Sequence, residues 1–392
     1  MIFNWMSIKF IKENLLVIIS QVVLIFLTYI LVRYRYRSPK SELILTKQEE
    51  EDLIRNNKID SLTSYKHNDV FDKTIKYLEN NEVSYKFVST DIFNYNSKLD
   101  IKRLADKIID NGIGTCGPRG FYGTSIDHIE LEEIISVFHN KEAALVYSNS
   151  SAGKISTICC FVKPKHTVFI RDTANEIIKR AVLKSKAVVV YFKNYSDLIN
   201  QLKIESNFKI IIIEDLSLMT GQYFNKINEL CDKKEELGFR MILDVNYFSL
   251  KRLYNDKIDI IMGSLPFNGG YAVTTNDNIG YMRINAKAYV FSASLPVFLI
   301  EANKQFLSRL YKDSEFDNSK IRKFYKNYKN IISSVNSPIV VLKVSDAYKV
   351  QHDLISKEKI LIEAFNKNYV RFYLNDDVTE KEIEKILNKY KY

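Results

Sequence analysis

The sequence predicts an α/β protein with a mainly parallel sheet covered by helices, a small α/β domain at the carboxyl end and a transmembrane helix at the amino end. Three observations predict this arrangement. Short runs rich in Ile and Val alternate with segments long enough for helices, which is typical of strands buried on both faces. The final part of the chain has the order strand, helix, strand, helix. One early segment of eighteen residues carries no charge.

The uncharged segment is LLVIISQVVLIFLTYILV, Leu15–Val32. At 1.5 Å per residue it nearly spans the roughly 30 Å hydrocarbon core of a bilayer. A cleaved signal peptide and a buried core helix are the alternatives. Cations cluster behind the segment rather than before it: Arg33, Arg35, Arg37 and Lys40 against Lys9 and Lys12. The positive-inside rule therefore predicts an outer amino terminus and a cytoplasmic body.

Composition shifts divide the rest of the chain. Residues 41–95 are polar and charged, contain no glycine and predict a linker with short helices. We therefore expect an amino-terminal membrane segment over 1–40, this linker, a large domain over 96–291 and a small domain over 292–392.

Two helices are predicted at the start of the large domain. The first, IKRLADKIID, has apolar residues at helical spacing, namely Ile101, Leu104, Ala105, Ile108 and Ile109. Asp127 followed by Glu130 resembles a capping box and predicts the start of the second helix.

Six strands are predicted next, most of them separated by helical segments such as 175–186 and 223–237. Their ranges are 143–147, 166–170, 187–192, 209–215, 240–244 and 259–263. In the small domain we expect strands at SPIVVLKV and NYVRFYL, and helices at HDLISKEKILIEAF and VTEKEIEKILNKY.

Charge and composition argue against two classes of function. The net charge is +10, but lysine is spread along the chain without a basic stripe interleaved with aromatics, so no nucleic-acid binding is expected. The four cysteines and five histidines are scattered without zinc spacing, so no metal site is expected.

Five of the twelve glycines lie in NGIGTCGPRGFYGT, residues 111–124. Gly112, Gly114 and Gly117 spell G-x-G-x-x-G, but a dinucleotide site requires a strand before the glycines, and here a helix precedes them. A loop that needs positive φ and close backbone approach would explain the glycines. It would not explain Cys116 and Arg119 among them.

The non-glycine residues carry a family resemblance. The stretch 112–150 resembles the start of the large domain in α-oxoamine synthases, where a glycine-rich turn precedes H..LE.., matched here by His128, Leu131 and Glu132. FSASLP, Phe291–Pro296, is similar to the family's junction between its two domains. The resemblance covers about residues 85–392, and it is closest to the non-catalytic subunit-1 type of serine palmitoyltransferase.

This resemblance implies a fold-type I transferase similar to aspartate aminotransferase, which uses pyridoxal 5′-phosphate (PLP). Catalytic members hold PLP by a lysine, pair the ring nitrogen with an acid and stack a histidine on the ring. Here Pro266 stands in the lysine region, and Glu176, after Asn175, stands in place of the histidine. Asp244 is retained as the acid, although Tyr247 replaces a nearby histidine. Asp244 could equally be a helix N-cap.

By resemblance the chain is therefore a degenerate subunit, inactive alone, of a serine palmitoyltransferase. The PLP would be bound by a catalytic subunit 2, and the pair would condense L-serine with palmitoyl-coenzyme A into 3-ketosphinganine. The resemblance also implies an endoplasmic reticulum membrane protein with a lumenal amino terminus. An independent homodimeric α-oxoamine synthase and a membrane scaffold without enzymatic role are the alternatives.

Active sites of this fold lie at the dimer interface, so the resemblance places a loop of this chain at the partner's pocket. The expected pocket residues are Gly114, Cys116, Gly117, Arg119, Tyr122 and Gly123. Arg119 would bind a phosphate or carboxylate there. The loop would help select the amino acid and acyl chain, or it would only stabilise the dimer.

Overall fold

The structure is a computed structural model that describes residues 21, 23–30, 84, 86–115, 117–247, 254–310, 322–365, 367–375 and 377–388. The chain forms two compact units, Met1–Phe71 and Asp72–Tyr392. In the first unit, residues 23–30 are helical and exposed. Half of the predicted membrane segment Leu15–Val32 lies outside the described residues, as does Cys116. Within the described ranges, no helix has the length and apolar character needed to cross a membrane.

The second unit contains a seven-stranded sheet of order β1-β7-β6-β5-β4-β2-β3. The strands are β1 Ala143–Tyr147, β2 Thr167–Arg171, β3 Val188–Phe192, β4 Lys209–Glu214, β5 Phe239–Val245, β6 Ile260–Ser264 and β7 Gly270–Thr274. Only β7 runs antiparallel to its neighbours, β1 and β6. The predicted mainly parallel sheet is confirmed, and its six predicted strands are present. Their carboxyl ends meet at one side of the sheet, here called the carboxyl edge.

Helices connect these strands and cover the sheet. They are α1 Ile101–Asn111, α2 Ile126–Phe138, α3 Ser150–Phe161, α4 Glu176–Lys184, α5 Tyr195–Ile204, α6 Ile227–Asp232, α7 Lys234–Leu237, α8 Asn276–Asn285, α9 Lys287–Phe291 and α10 Val297–Leu310. Three of them begin in the same way after a strand. The side chains of Asn149, Asn175 and Asn194 each accept a hydrogen bond from a backbone N–H of the first turn of α3, α4 and α5.

Apolar side chains of the strands fill two layers, one on each face of the sheet. Ile211, Leu243 and Ile261 belong to one layer, and Ile210, Ile242 and Ile260 to the other. In these central strands alternate residues thus point to opposite faces, and both faces are buried. That is why the strands have continuous Ile and Val runs rather than alternating polar residues.

A second sheet of three antiparallel strands lies near the carboxyl end, in the order β8-β10-β9. Its elements are β8 Ile339–Lys343, α11 Ala347–Asp353, β9 Glu363–Phe365, β10 Tyr369–Tyr373 and α12 Glu380–Asn388. The helix predicted over 352–365 is wrong in its second half, because this part includes β9. Lys359, at φ +58°, ends the helical stretch before it.

The second predicted helix starts earlier than expected. The N-cap of α2 is Ser125, whose backbone N–H donates to His128 Nδ1 at 3.1 Å. The capping box predicted at Asp127 and Glu130 is therefore wrong. Asp127 instead accepts hydrogen bonds from Lys107 and Lys304 at 2.7 and 2.9 Å. These contacts tie α2 to α1 and α10.

Candidate functional site

The glycine loop, residues 112–124, is attached to the FSASLP segment, although about 170 residues of chain separate them. Ser294 N–H donates to Gly117 O at 2.9 Å, and Thr115 Oγ1 donates to Ser294 O at 3.0 Å. The Ser294 hydroxyl also donates to Gly117 O and Gly123 O. The two segments that carry the family resemblance therefore form one local structure.

Close approach to backbone requires the glycine at Gly123, whereas at Gly117 the close neighbour is the exposed ring of Tyr122. A Cβ on Gly123 would lie 1.9 Å from Gly117 O, and a Cβ on Gly117 would lie 2.2 Å from the ring of Tyr122. Gly114 has open space around it, so sterics do not explain that glycine. The loop is tightly closed at its base, while the side chain of Tyr122 is 74% exposed.

Arg119 points into this chain rather than out of the loop. Its guanidinium is buried, and Nη1 lies 2.8 Å from Glu132 Oε1 on α2. Nη1 also donates to Val146 O, and Nε donates to Thr124 Oγ1 at 2.9 Å. The prediction that Arg119 binds a ligand phosphate or carboxylate is therefore revised, because its donors serve internal acceptors.

The carboxyl edge of the large sheet holds the positions expected to handle a cofactor. Asp244, near the end of β5, is buried and faces Lys154 of α3. Lys154 Nζ donates to Asp244 Oδ2 at 2.9 Å and lies 2.7 Å from Oδ1, the latter without hydrogen-bond geometry. Asp244 is thus one half of a buried ion pair, not a helix N-cap.

A second carboxylate lies beside this pair. Glu214 is the neighbour of Asp244 across β4 and β5 and accepts a hydrogen bond from Asn175 N at 3.0 Å. Some of its surface still contacts solvent. Burial, and then the negative charge of Asp244, raises the pKa of Glu214 to about 8, although Lys154 and Arg171 act in the opposite direction. Glu214 is therefore mostly protonated at neutral pH.

The remaining cofactor positions are used differently. The side chain of Glu176 is exposed and lies 3.1 Å from Lys179 Nζ, one helical turn away. Tyr247 donates its hydroxyl to Thr90 O at 2.6 Å and packs edge-on against Phe306. Neither side chain is placed as a ring-stacking group over the carboxyl edge.

Pro266 lies in the turn between β6 and β7, where the resemblance expects a lysine. Asn303 of α10 fixes this turn by accepting from Phe267 N and donating to the carbonyls of Phe267 and Asn268, at 3.2–3.3 Å. Gly269 adopts φ +89°, and a Cβ there would lie 3.0 Å from Leu295. The turn is short, packed and without a nucleophile.

These residues do not fit a resident PLP. The acid that would face the ring nitrogen is already paired with Lys154, and the lysine turn carries Pro266. The ion pair between Lys154 and Asp244 was not predicted from the sequence. One feature of the sequence indicated a special role: Lys154 is the only charged residue in SSAGKISTICCF, a helix of mostly small or apolar side chains.

Comparisons with known proteins agree with this fold. A family model described as aminotransferase class I and II matches residues 89–389. Serine palmitoyltransferase 1 of Dictyostelium discoideum is 25% identical, with 88% of this chain and 81% of that protein covered. Long chain base biosynthesis protein 1 of Arabidopsis thaliana is 27% identical over 66% of this chain and 60% of its own length.

A high-resolution structure of a serine palmitoyltransferase (SPT) with its PLP internal aldimine superimposes on this chain with a TM-score of 0.65. It is 18% identical and covers 84% of this chain and 97% of that one. At this identity the similarity concerns the fold, which is that of PLP-dependent enzymes.

Proposed function

The chain belongs to the class I and II aminotransferase family, and we propose that it is the non-catalytic subunit of a serine palmitoyltransferase. In this proposal it pairs with a PLP-bearing chain, and the pair condenses L-serine with palmitoyl-coenzyme A. The names of the Dictyostelium and Arabidopsis relatives support the activity. Pro266 in the lysine turn supports the non-catalytic role.

The observation that carries the proposal is an exposed apolar surface on α1, the glycine loop and α2. Its residues are Ile101, Ile109, Ile113, Phe121, Tyr122, Ile126, Ile129 and Val137, each at least 43% exposed. Both α1 and α2 also pack on α10. An apolar surface of this kind marks a protein interface. Two of its residues, Ile101 and Ile109, belong to the amphipathic face predicted for α1.

The surface also gives the glycine loop a role. We propose that Phe121 and Tyr122, together with Cys116, line the partner's substrate pocket, while Gly117 and Gly123 allow the loop to close. Arg119 would act indirectly by holding the loop on α2. Replacing Tyr122 with alanine should then change the preference for serine or for acyl-chain length while copurification is retained. Unchanged product profiles would leave the loop with a purely stabilising role.

Coexpression tests the subunit proposal. The chain should copurify with a catalytic serine palmitoyltransferase subunit, and condensation of serine with palmitoyl-coenzyme A should require both chains. Val137→Lys should weaken copurification, whereas Ile204→Lys should not, since Ile204 is 85% exposed on α5 outside the apolar surface. Activity of the catalytic subunit without this chain, or of this chain alone, would contradict the proposal.

We also propose that Leu15–Val32 anchors the chain in the endoplasmic reticulum membrane with its amino terminus in the lumen. The uncharged length and the cations after it support this topology. Resistance to carbonate extraction, and glycosylation of an acceptor site added at the amino terminus, are the expected results. Release by carbonate would contradict the anchor.

A further inference from the structure

Lys154 brings a buried cation to the carboxyl edge. Its side chain is 8% exposed and that of Asp244 is 6% exposed, and Nζ contacts both carboxylate oxygens at 2.7 and 2.9 Å. Burying two charges is costly unless their geometry is close and complementary. The close geometry of the pair offsets this cost, and the pair joins α3 to β5.

Two further titratable groups lie close to the pair at this edge. Glu214 faces it from β4 and, with its pKa raised by burial and by Asp244, is mostly neutral at pH 7. Arg171 lies at the end of β2, where burial is the largest influence and lowers its pKa. The Lys154 ammonium contacts both oxygens of Asp244, so this carboxylate has no uncompensated charge for an incoming cationic ring.

We propose that Lys154 is an internal substitute for a cofactor: its ammonium takes the place on Asp244 that a protonated pyridine ring nitrogen would take. Lys154 is then a positioning residue that holds Asp244 and closes this site to PLP. An incoming ring would have to displace the ammonium and leave it buried without a partner. This inference concerns the chain itself and does not rest on the proposed partner.

The test measures binding of pyridoxamine 5′-phosphate to the full chain by calorimetry. This probe has no aldehyde, so exposed lysines do not capture it as a Schiff base. Lys154→Asn should bind it at least about tenfold more tightly than the unchanged chain, because Asp244 is released. The matched control is Lys234→Asn, which removes another buried lysine, 2.8 Å from Asp259 Oδ2 at the opposite edge of the sheet. Its affinity should equal that of the unchanged chain.

Equal affinity of the unchanged chain and Lys154→Asn, or an equal gain in Lys234→Asn, would overturn the proposal. So would a pyridoxyl group found on Lys154 by mass spectrometry after PLP and borohydride treatment, because Lys154 would then anchor the cofactor. If Lys154→Asn does not fold, the double variant Lys154→Asn/Asp244→Asn decides. If the double variant folds and regains the melting temperature of the unchanged chain, the result supports Lys154 as the residue that holds Asp244. If it does not, the proposal is overturned.

Discussion

Replacement of Arg119 by methionine tests whether this arginine serves the fold of its own chain. The change keeps an apolar stem of similar length and removes the guanidinium. Glu132 would remain buried at 5% exposure, with its Oε1 still accepting from Val146 N at 2.8 Å. The nearest other cation is Arg283, which is half exposed and lies 3.7 Å from Glu132 Oε2.

The magnitude follows from these contacts. Breaking a buried ion pair by removing one partner costs about 3–5 kcal/mol, because the remaining charge stays desolvated. The guanidinium also lies 5.3 Å from the ring centroid of Tyr289, a cation–π contact that contributes about 0.5–2 kcal/mol. We therefore expect Arg119→Met to lower the free energy of unfolding by at least about 3 kcal/mol.

Urea unfolding followed by circular dichroism measures this loss of stability. A double-mutant cycle shows how much of it comes from the pair of Arg119 and Glu132. Arg119→Met/Glu132→Gln leaves no buried charge and should be clearly more stable than Arg119→Met. As a matched control, Arg240→Met removes an arginine that is 61% exposed beside Asp259, and exposed pairs contribute at most about 1 kcal/mol. The reasoning is refuted if Arg119→Met costs no more than Arg240→Met, or if the double variant gains nothing.

Three further predictions concern the loop and two titrating groups. Gly123→Ala places a methyl 1.9 Å from Gly117 O, so the glycine loop should become sensitive to limited proteolysis; an unchanged digestion pattern would contradict this. Because the folded pKa of Glu214 is about 8 against an ordinary 4.5, the folded chain binds the extra proton, and stability should fall as pH rises through this window. Glu214→Gln should reduce that fall in melting temperature, and identical pH profiles would refute the assignment. Burial lowers the pKa of His139 to about 4 from an ordinary 6.5, so the unfolded chain binds more protons there and stability is lost as pH drops from 6.5 to 4. His139→Gln should reduce the loss of stability between pH 6.5 and 4, and an unchanged loss would contradict this prediction.

Local patterns predicted most of the sheet. The runs at β1, β4 and β5 are placed within one or two residues, because Ile and Val runs of this length are readable without tertiary information. β7, Gly270–Thr274, was not predicted. It begins with a glycine and lacks an Ile and Val run, and its strand conformation depends on hydrogen bonds to β1 and β6 on both sides.

The pairings at the candidate site could not be predicted in the same way. Lys154 and Asp244 are ninety residues apart, and no local pattern joins them. Arg119 and Glu132 were both noted in the sequence, but their contact depends on the fold of the loop against α2. The resemblance named these positions in the chain, whereas only the structure shows that their charges are directed inward.

The hydrogen bonds of Ser294 have a further consequence for motion. Ser294 lies three residues before α10, and it binds the carbonyls of both Gly117 and Gly123 in the glycine loop. The loop therefore cannot open alone, since opening it exposes Gly117 O and the backbone around Ser294 together. In hydrogen exchange, the amides of Gly123 and Ser294 should therefore lose protection together, as one cooperative unit that links the loop to the start of α10.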